Sequence, residues 1–125
     1  MAEIGLYNGR LRPCPSSPNC VSTQAADDGH RIAAIPYQRE WPVAAARLKQ
    51  VVGEMPGAKL VDDQGRYLRF EFTSRWFQFV DDVEFLFDEE SKTIQFRSAS
   101  RTGYGDLGVN RRRMEAIRGQ VVGTV

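Results

Sequence analysis

Between Arg97 and Arg118 the chain carries six arginines against two carboxylates, Asp106 and Glu115, and Arg111, Arg112 and Arg113 sit together where a helix begins. A helix start is already partly positive, so three guanidiniums in its first turn repel that field unless an anion lies nearby. The residues leading there, Arg97-Ser98-Ala99-Ser100-Arg101, run as a strand into the glycine-rich stretch Gly103-Tyr104-Gly105-Asp106-Leu107-Gly108. That stretch lacks the dinucleotide-binding spacing and the P-loop lysine. Its glycines instead permit a tight turn whose amides, with Arg97, Arg101 and Arg111 to Arg113, form a cationic pocket for a carboxylate or phosphate. Ser98, Ser100, Tyr104, Asp106 and Asn110 are the polar groups expected around it. The competing reading is internal: Arg97 bonds Glu84, Arg101 bonds Asp81 or Asp106, and the helix arginines are solvated.

Other chemistry is sparser. Asp81, Asp82 and Glu84 are close in sequence, but strand alternation sends Asp81 to the face opposite the other two, which argues against a concerted two-acid site. Asp81 is set among Phe77, Phe79, Val83 and Phe85 and therefore needs a partner, which Ser100 and then Arg101 offer. Cys14 and Cys20 can close a disulfide loop, stay reduced, or supply two soft metal ligands. A zinc site would need His30 with Asp27 or Asp28, a spacing that matches no common zinc module, so no metal site is expected. His30, the one histidine, has no nucleophile elbow or metalloprotease helix around it. No catalytic residue is assigned and nothing calls for a cofactor. A small enzyme using Asp81, Arg101 and Tyr104 is the alternative to a binding module, and it lacks a recognised nucleophile–base pair. Trp41, Trp76 and Tyr104 fall outside the regular apolar stripes, where they fill core, line a cleft or form a patch for a protein partner.

A chain of 125 residues, 42% hydrophobic and 26% charged, has the size and composition of one globular domain. A net charge of +1 gives no global reason to expect nucleic acid or an anionic membrane, so partners must be inferred locally. No stretch approaches the roughly 18 apolar residues of a membrane span, which leaves peripheral membrane association open. The chain as written reads as cytoplasmic, or as exported or membrane-associated if a leader is missing. The partner expected is an anionic group on a small molecule or on a protein.

The elements that must position these residues follow from spacing. Residues 1–40 read as an extended, mostly irregular arm, because Pro13, Pro15 and Pro18 exclude a helix or central strand, with a short edge strand around Arg31 to Pro36. A helix starts at Pro42 and runs to about Met55, with Ala44, Leu48, Val51 and Val52 on one face. Four strands follow. The first two flank a three-residue loop in which Asp62 faces Arg66, Leu60 lies beside Leu68 and Gly65 takes the left-handed position. The third reads from Phe77 to Phe87. A four-residue loop then pairs it with Thr93 to Ser100, placing Phe87 opposite Ile94, Phe85 opposite Phe96, Asp81 opposite Ser100 and, on the reverse face, Glu84 opposite Arg97. Asn110 caps a last helix, Val109 staples to Met114 and Gly119 ends it. The expectation is an α+β domain: a four-stranded antiparallel sheet, two helices packed against it, and the arm.

Three segments then stand out together: Leu11 to Ser22 with its Cys14-Pro15-Ser16-Ser17-Pro18-Asn19-Cys20 core, Phe79-Val80-Asp81-Asp82-Val83-Glu84-Phe85, and Arg97 to Arg101 continuing through Gly108-Val109-Asn110-Arg111-Arg112. On these the chain resembles the domain of unknown function 1499 (DUF1499) family over nearly its whole length. Many members look exported or membrane-tethered, and the resemblance implies no particular activity.

Overall fold

Two helices and eight short strands make up the computed structural model, which describes residues 3–125. In chain order they are β1 (Leu6–Tyr7), β2 (Arg10–Leu11), β3 (Cys20–Ser22), β4 (Ile35–Pro36), α1 (Trp41–Gly53), β5 (Ala58–Asp63), β6 (Tyr67–Thr73), β7 (Val80–Asp88), β8 (Thr93–Ser100) and α2 (Val109–Val121). The fold is α+β. Its sheet is six-stranded, not four-stranded: β3-β8-β7-β6-β5 in order, with β4 also on β8. The two added strands come from the arm: β4 falls within the short edge strand expected between Arg31 and Pro36, whereas β3 begins just after Pro18 and Asn19 in the part expected to be irregular. β3 pairs with the Arg97 to Ala99 part of β8 and β4 with Thr93 and Ile94. They cap an edge that would otherwise leave backbone groups beside a buried arginine open to water. β1 and β2 form a separate hairpin.

The β7/β8 register is the one the hydrophobic pattern demands, with Phe85 opposite Phe96, Phe87 opposite Ile94, Glu84 opposite Arg97 and Asp81 opposite Ser100. Leu68, Phe70, Phe72, Val83, Phe85, Phe87, Ile94 and Phe96 form one apolar face. Both helices cover it, α1 through Ala44, Ala45, Leu48 and Val52, and α2 through Met114, Ile117 and Val121.

Four local expectations are corrected. Asp62 pairs with Arg69 and Leu60 with Phe70: the Asp63 carboxylate accepts the Gly65 amide at 3.0 Å in a turn whose last strand pair is Asp63 with Leu68, and an irregularity between Leu60 and Asp62 shifts the pairing beyond it by one residue. Gly65 itself is left-handed, as the turn requires. β7 begins at Val80, so Phe77 and Phe79 are outside it and exposed. The cause is a closed turn: Ser74 and Phe79 exchange two hydrogen bonds, and Gln78 takes a left-handed conformation between them. Asn110 is not the cap of α2; Gly108 occupies that position at φ 79°, Asn110 is buried in the first turn, and Val109 is exposed instead of stapled. Gly119 lies inside α2, because burial of Val121 holds one more stretch of helix.

Candidate functional site

Sequence-neighbouring arginines separate onto three surfaces. Alternation along β8 sends Arg97 to the reverse face of the sheet, and Arg101, two turns of the pleat further, follows it. Arg97 meets Glu84 there at 3.2 Å, with both side chains 0% exposed. The other Glu84 oxygen accepts the Tyr67 hydroxyl at 2.6 Å and the Gly5 amide at 2.8 Å, and Arg97 donates to the Pro13 carbonyl. Burial, and then the bond to Glu84, raise the Tyr67 phenol well above its ordinary pKa. Arg97 Nε is buried without a partner among the described residues.

Arg101 lies over the same face nearer the loop. It holds Asp82 through two nitrogens, at 2.9 and 3.0 Å, and Glu71 at 2.5 Å, while Arg69 also reaches Asp82 at 2.9 Å. These contacts, first to Asp82 and then to Glu71, raise the Arg101 pKa further. Arg101 therefore does not partner Asp81 or Asp106. A single extension of the strand alternation past Ser100 signals this, since it places Arg101 with Asp82 and not with Asp81.

On the helix-covered face, the first turn of α2 presses polar groups onto the ends of β7 and β8. The Asp81 carboxylate is met by Arg113 at 2.7 Å, not by Arg101. Arg113 also donates to Asn110 Oδ1 and lies 4.8 Å from the Phe72 ring centre. Asn110 Oδ1 accepts the Ser98 hydroxyl at 2.6 Å, and its amide nitrogen donates to Ser100 Oγ at 3.0 Å, to Asp106 and to the Asn19 carbonyl. Asp106 supplies what a capping side chain would, accepting the Gly108 and Asn110 amides at 2.8 and 3.1 Å. Burial would raise its pKa, but the bonds from the Asn110 side chain and these amides outweigh it, so Asp106 is held below the usual carboxylate range.

Asn19, part of the Cys14 to Cys20 segment but given no role by its sequence, ties this cluster to the arm. Its side chain donates to the Gly103 carbonyl at 2.9 Å, and its own carbonyl accepts the Ser100 amide. Cys14 and Cys20, on either side of it, are joined as a disulfide. His30 stands next to this loop with both ring nitrogens engaged, Nδ1 to Asp27 at 2.6 Å and Nε2 to the Ser17 carbonyl at 2.9 Å. Among the described residues no group of histidine, cysteine and carboxylate side chains is arranged to hold a metal ion.

Arg111 donates to the carbonyls of Arg31 and Gly29, so it is not simply solvated. Arg112 is exposed and donates once, to the Leu107 carbonyl at 2.8 Å. It lines an open groove of about 830 Å³ between the end of α1 and the start of α2, together with Met55, Phe72, Arg75 and Arg113. Next to the groove, beyond Val109, a more enclosed cavity of about 320 Å³ has Asp81, Ser100 and Arg113 at its polar side and Phe79 and Leu107 at its apolar side. Tyr104 is exposed and outside both. Arg75, absent from the residues singled out by sequence, lines the same groove as Arg112 from the closed turn between Ser74 and Phe79.

Comparison with known proteins adds one relationship. No curated protein and no solved structure matches the chain. The family described as protein of unknown function (DUF1499) matches residues 10–121, taking in the disulfide loop, the acidic strand and the arginine-bearing helix start, and the chain belongs to that family.

Proposed function

We propose that this domain is a non-enzymatic binding module that takes an anionic group, on a small molecule or a partner protein, in the groove formed by the turn after α1, the β6–β7 loop and the first turn of α2. Its charge carries this reading: Arg75, Arg112 and Arg113 line the groove and no carboxylate does. Arg113 is neutralised from the far side by Asp81. Among the described residues, Arg75 and Arg112 form no ion pair. A phosphate or carboxylate entering the groove meets two planar guanidiniums able to bind it bidentately, with Met55, Pro56 and Phe72 beside it for an apolar portion. The arginines that first drew notice, Arg97 and Arg101, serve the fold in this reading, and recognition passes to Arg112. The alternative enzyme needs Asp81, Arg101 and Tyr104 to meet. They lie on one sheet face, on the other, and in solvent, so no observation favours it.

Titration with glycerol 3-phosphate and with citrate at low salt, followed by amide and arginine side-chain NMR shifts, tests the proposal. The expected shifts gather at Gly57, Ser74, Gln78 and Val109 to Arg113, and Arg112→Gln weakens binding roughly tenfold by removing one charge-assisted contact. Absence of localised shifts with both anions at millimolar concentration would sink it.

A further inference from the structure

The β6–β7 loop and the glycine loop lie side by side at one end of the sheet, where the Arg101 amide bonds the Val80 carbonyl. Both hold apolar side chains away from the protein. Trp76 is 78% exposed, Phe77 75% and Leu107 93%. Values this high belong to side chains that stand clear of the surface, whereas residues of a flat protein-binding patch are partly covered by their neighbours. The exposure is also built in. Gln78 and Leu107 both adopt left-handed backbone, φ 56° and 55°, a conformation unfavourable to residues with a Cβ. In the first loop, the hydrogen bonds between Ser74 and Phe79 maintain that turn, and Phe77 stacks on Phe79 with ring centres 5.7 Å apart. A turn without Gln78 in this conformation would let Phe77 and Phe79 continue the alternation of β7 and face inward.

Charge accompanies the rings. Arg75 lies 5.0 Å from the Trp76 ring centre, and exposed Arg112, at the start of α2 just after the glycine loop, lines the same groove as Arg75. From Ser74 to Phe79 and from Thr102 to Val109 the sole carboxylate is Asp106, which is turned inward onto the amides of α2. Protruding tryptophan, phenylalanine and leucine with flanking arginines and no outward carboxylate match a lipid–water interface, which accepts rings at headgroup depth and attracts cations to anionic lipid. No helix among the described residues is long and apolar enough to cross a membrane, and the side chains offered to one here come from two loops.

We infer that this end of the domain docks on an anionic lipid bilayer, with Trp76, Phe77 and Leu107 entering the headgroup layer and Arg75 and Arg112 meeting lipid phosphates. The inference rests on the anion-binding groove only for its electrostatic part.

Co-sedimentation with vesicles of phosphatidylcholine alone and of phosphatidylcholine with phosphatidylglycerol tests it, alongside Trp76 fluorescence in a Trp41→Phe background where Trp76 is the one remaining tryptophan. The expected result is binding to the anionic vesicles that falls with added salt, with a blue shift of Trp76 emission. Trp76→Ser with Phe77→Ser and Leu107→Ser should lower sedimentation by more than about tenfold without changing the melt, because these side chains are exposed. Each of Arg75→Gln and Arg112→Gln should lower it roughly fivefold at low salt. Failure of the wild type to bind either vesicle overturns the inference, as does full binding by the triple serine variant. Self-association abolished by the serine variant, in a protein that ignores vesicles, overturns it in favour of a second copy as occupant. Binding of glycerol 3-phosphate without vesicle binding removes the lipid inference and leaves the groove intact. Serine-sensitive vesicle binding without glycerol 3-phosphate binding does the reverse.

Discussion

The two faces of the sheet are buried by different means. One carries Leu68, Phe70, Phe72, Val83, Phe85, Phe87, Ile94 and Phe96 and is covered by two amphipathic helices whose apolar stripes match it. The other carries Tyr67, Glu84 and Arg97 and is covered by an arm that brings mainly backbone: the Gly5 amide to Glu84 and the Pro13 carbonyl to Arg97. A helix has its own backbone groups satisfied and offers side chains. An extended, proline-containing arm offers unsatisfied amides and carbonyls, and it suits a face whose side chains can answer them. The arm-covered face is thus held by a small number of strong, specific contacts, and loss of one partner there strands another.

The sharpest break of this comparison is Arg97→Ala. It leaves Glu84 buried and unpaired, and the expected loss is about 3–5 kcal/mol in chemical denaturation. Replacing the set together, Arg97→Met with Glu84→Leu and Tyr67→Phe, should recover part of that, since it removes the buried charges but leaves the Gly5 amide and the Pro13 carbonyl without partners. If Arg97→Ala melts with the wild type, the arm does not seal this face and the contrast fails.

Opening the disulfide tests the arm's anchorage. Cys14→Ser with Cys20→Ser frees a short loop, and the expected cost is about 2–3 kcal/mol from the unfolded chain's regained freedom. Because Asn19 lies inside that loop and holds the Gly103 carbonyl, amide exchange in the glycine loop should quicken in the same variant. Exchange confined to the arm would show that the two are uncoupled.

A smaller effect is expected on the helix-covered face, where a polar pair also exists. Asp81→Ala leaves Arg113 with Asn110 and Ser98 as partners and still partly accessible, so the expected loss is about 1–2 kcal/mol, below that of Arg97→Ala. Asp81→Asn should cost less than Asp81→Ala. A loss at Asp81 as large as at Arg97 would erase the distinction between the two faces.

The smallest effect is at His30. Its pKa is raised above 6.5, first by the Ser17 carbonyl and then, against some burial, by Asp27. Both ring nitrogens face acceptors, so the imidazolium is the form that satisfies them. Its contribution is fully present below the unfolded value near 6.5 and is lost as pH rises through the higher folded value. Asp27 is lowered below 3.8, chiefly by its bond to His30, so its share is present above that value and lost as pH falls through the folded one. NMR titration of the His30 ring should give a midpoint above 6.5 that drops in Asp27→Asn. A midpoint below 6.5 would detach the arm's histidine from its carboxylate.

Much of the framework was legible in the residues. The alternation from Val83 to Phe87 against Ile94 and Phe96, joined by a four-residue loop, leaves one register that buries the phenylalanines, and Glu84 opposite Arg97 is its direct consequence. Pro42, Leu48 and Val52 mark α1 in the same way. Local periodicity is a property of consecutive residues, so it survives without knowledge of the fold. What it missed is the competition of nearby polar side chains for backbone amides, which hydrophobic periodicity does not encode. The Asp63 carboxylate holds the Gly65 amide in the β5–β6 turn, Asp106 holds the Gly108 and Asn110 amides so that Gly108 and not Asn110 takes the cap position of α2, and the Ser74–Phe79 turn delays the start of β7 to Val80.

Arginine shows where the boundary falls. The sequence by itself determined that Arg97, Arg101, Arg111, Arg112 and Arg113 need negative or carbonyl partners, because five fixed charges within a short stretch cannot stand together unanswered. Which partner each takes was decided only in three dimensions. Packing of α2 brings Arg113 to Asp81, pairing of β6 with β7 brings Glu71 beside Asp82 for Arg101, and the arm brings the carbonyls that hold Arg111. Arg112 remains beside Arg75 in an open groove because no acidic residue is carried there by any element. Electrostatic demand is written along the chain, but the answer to it depends on distances that tertiary packing alone sets.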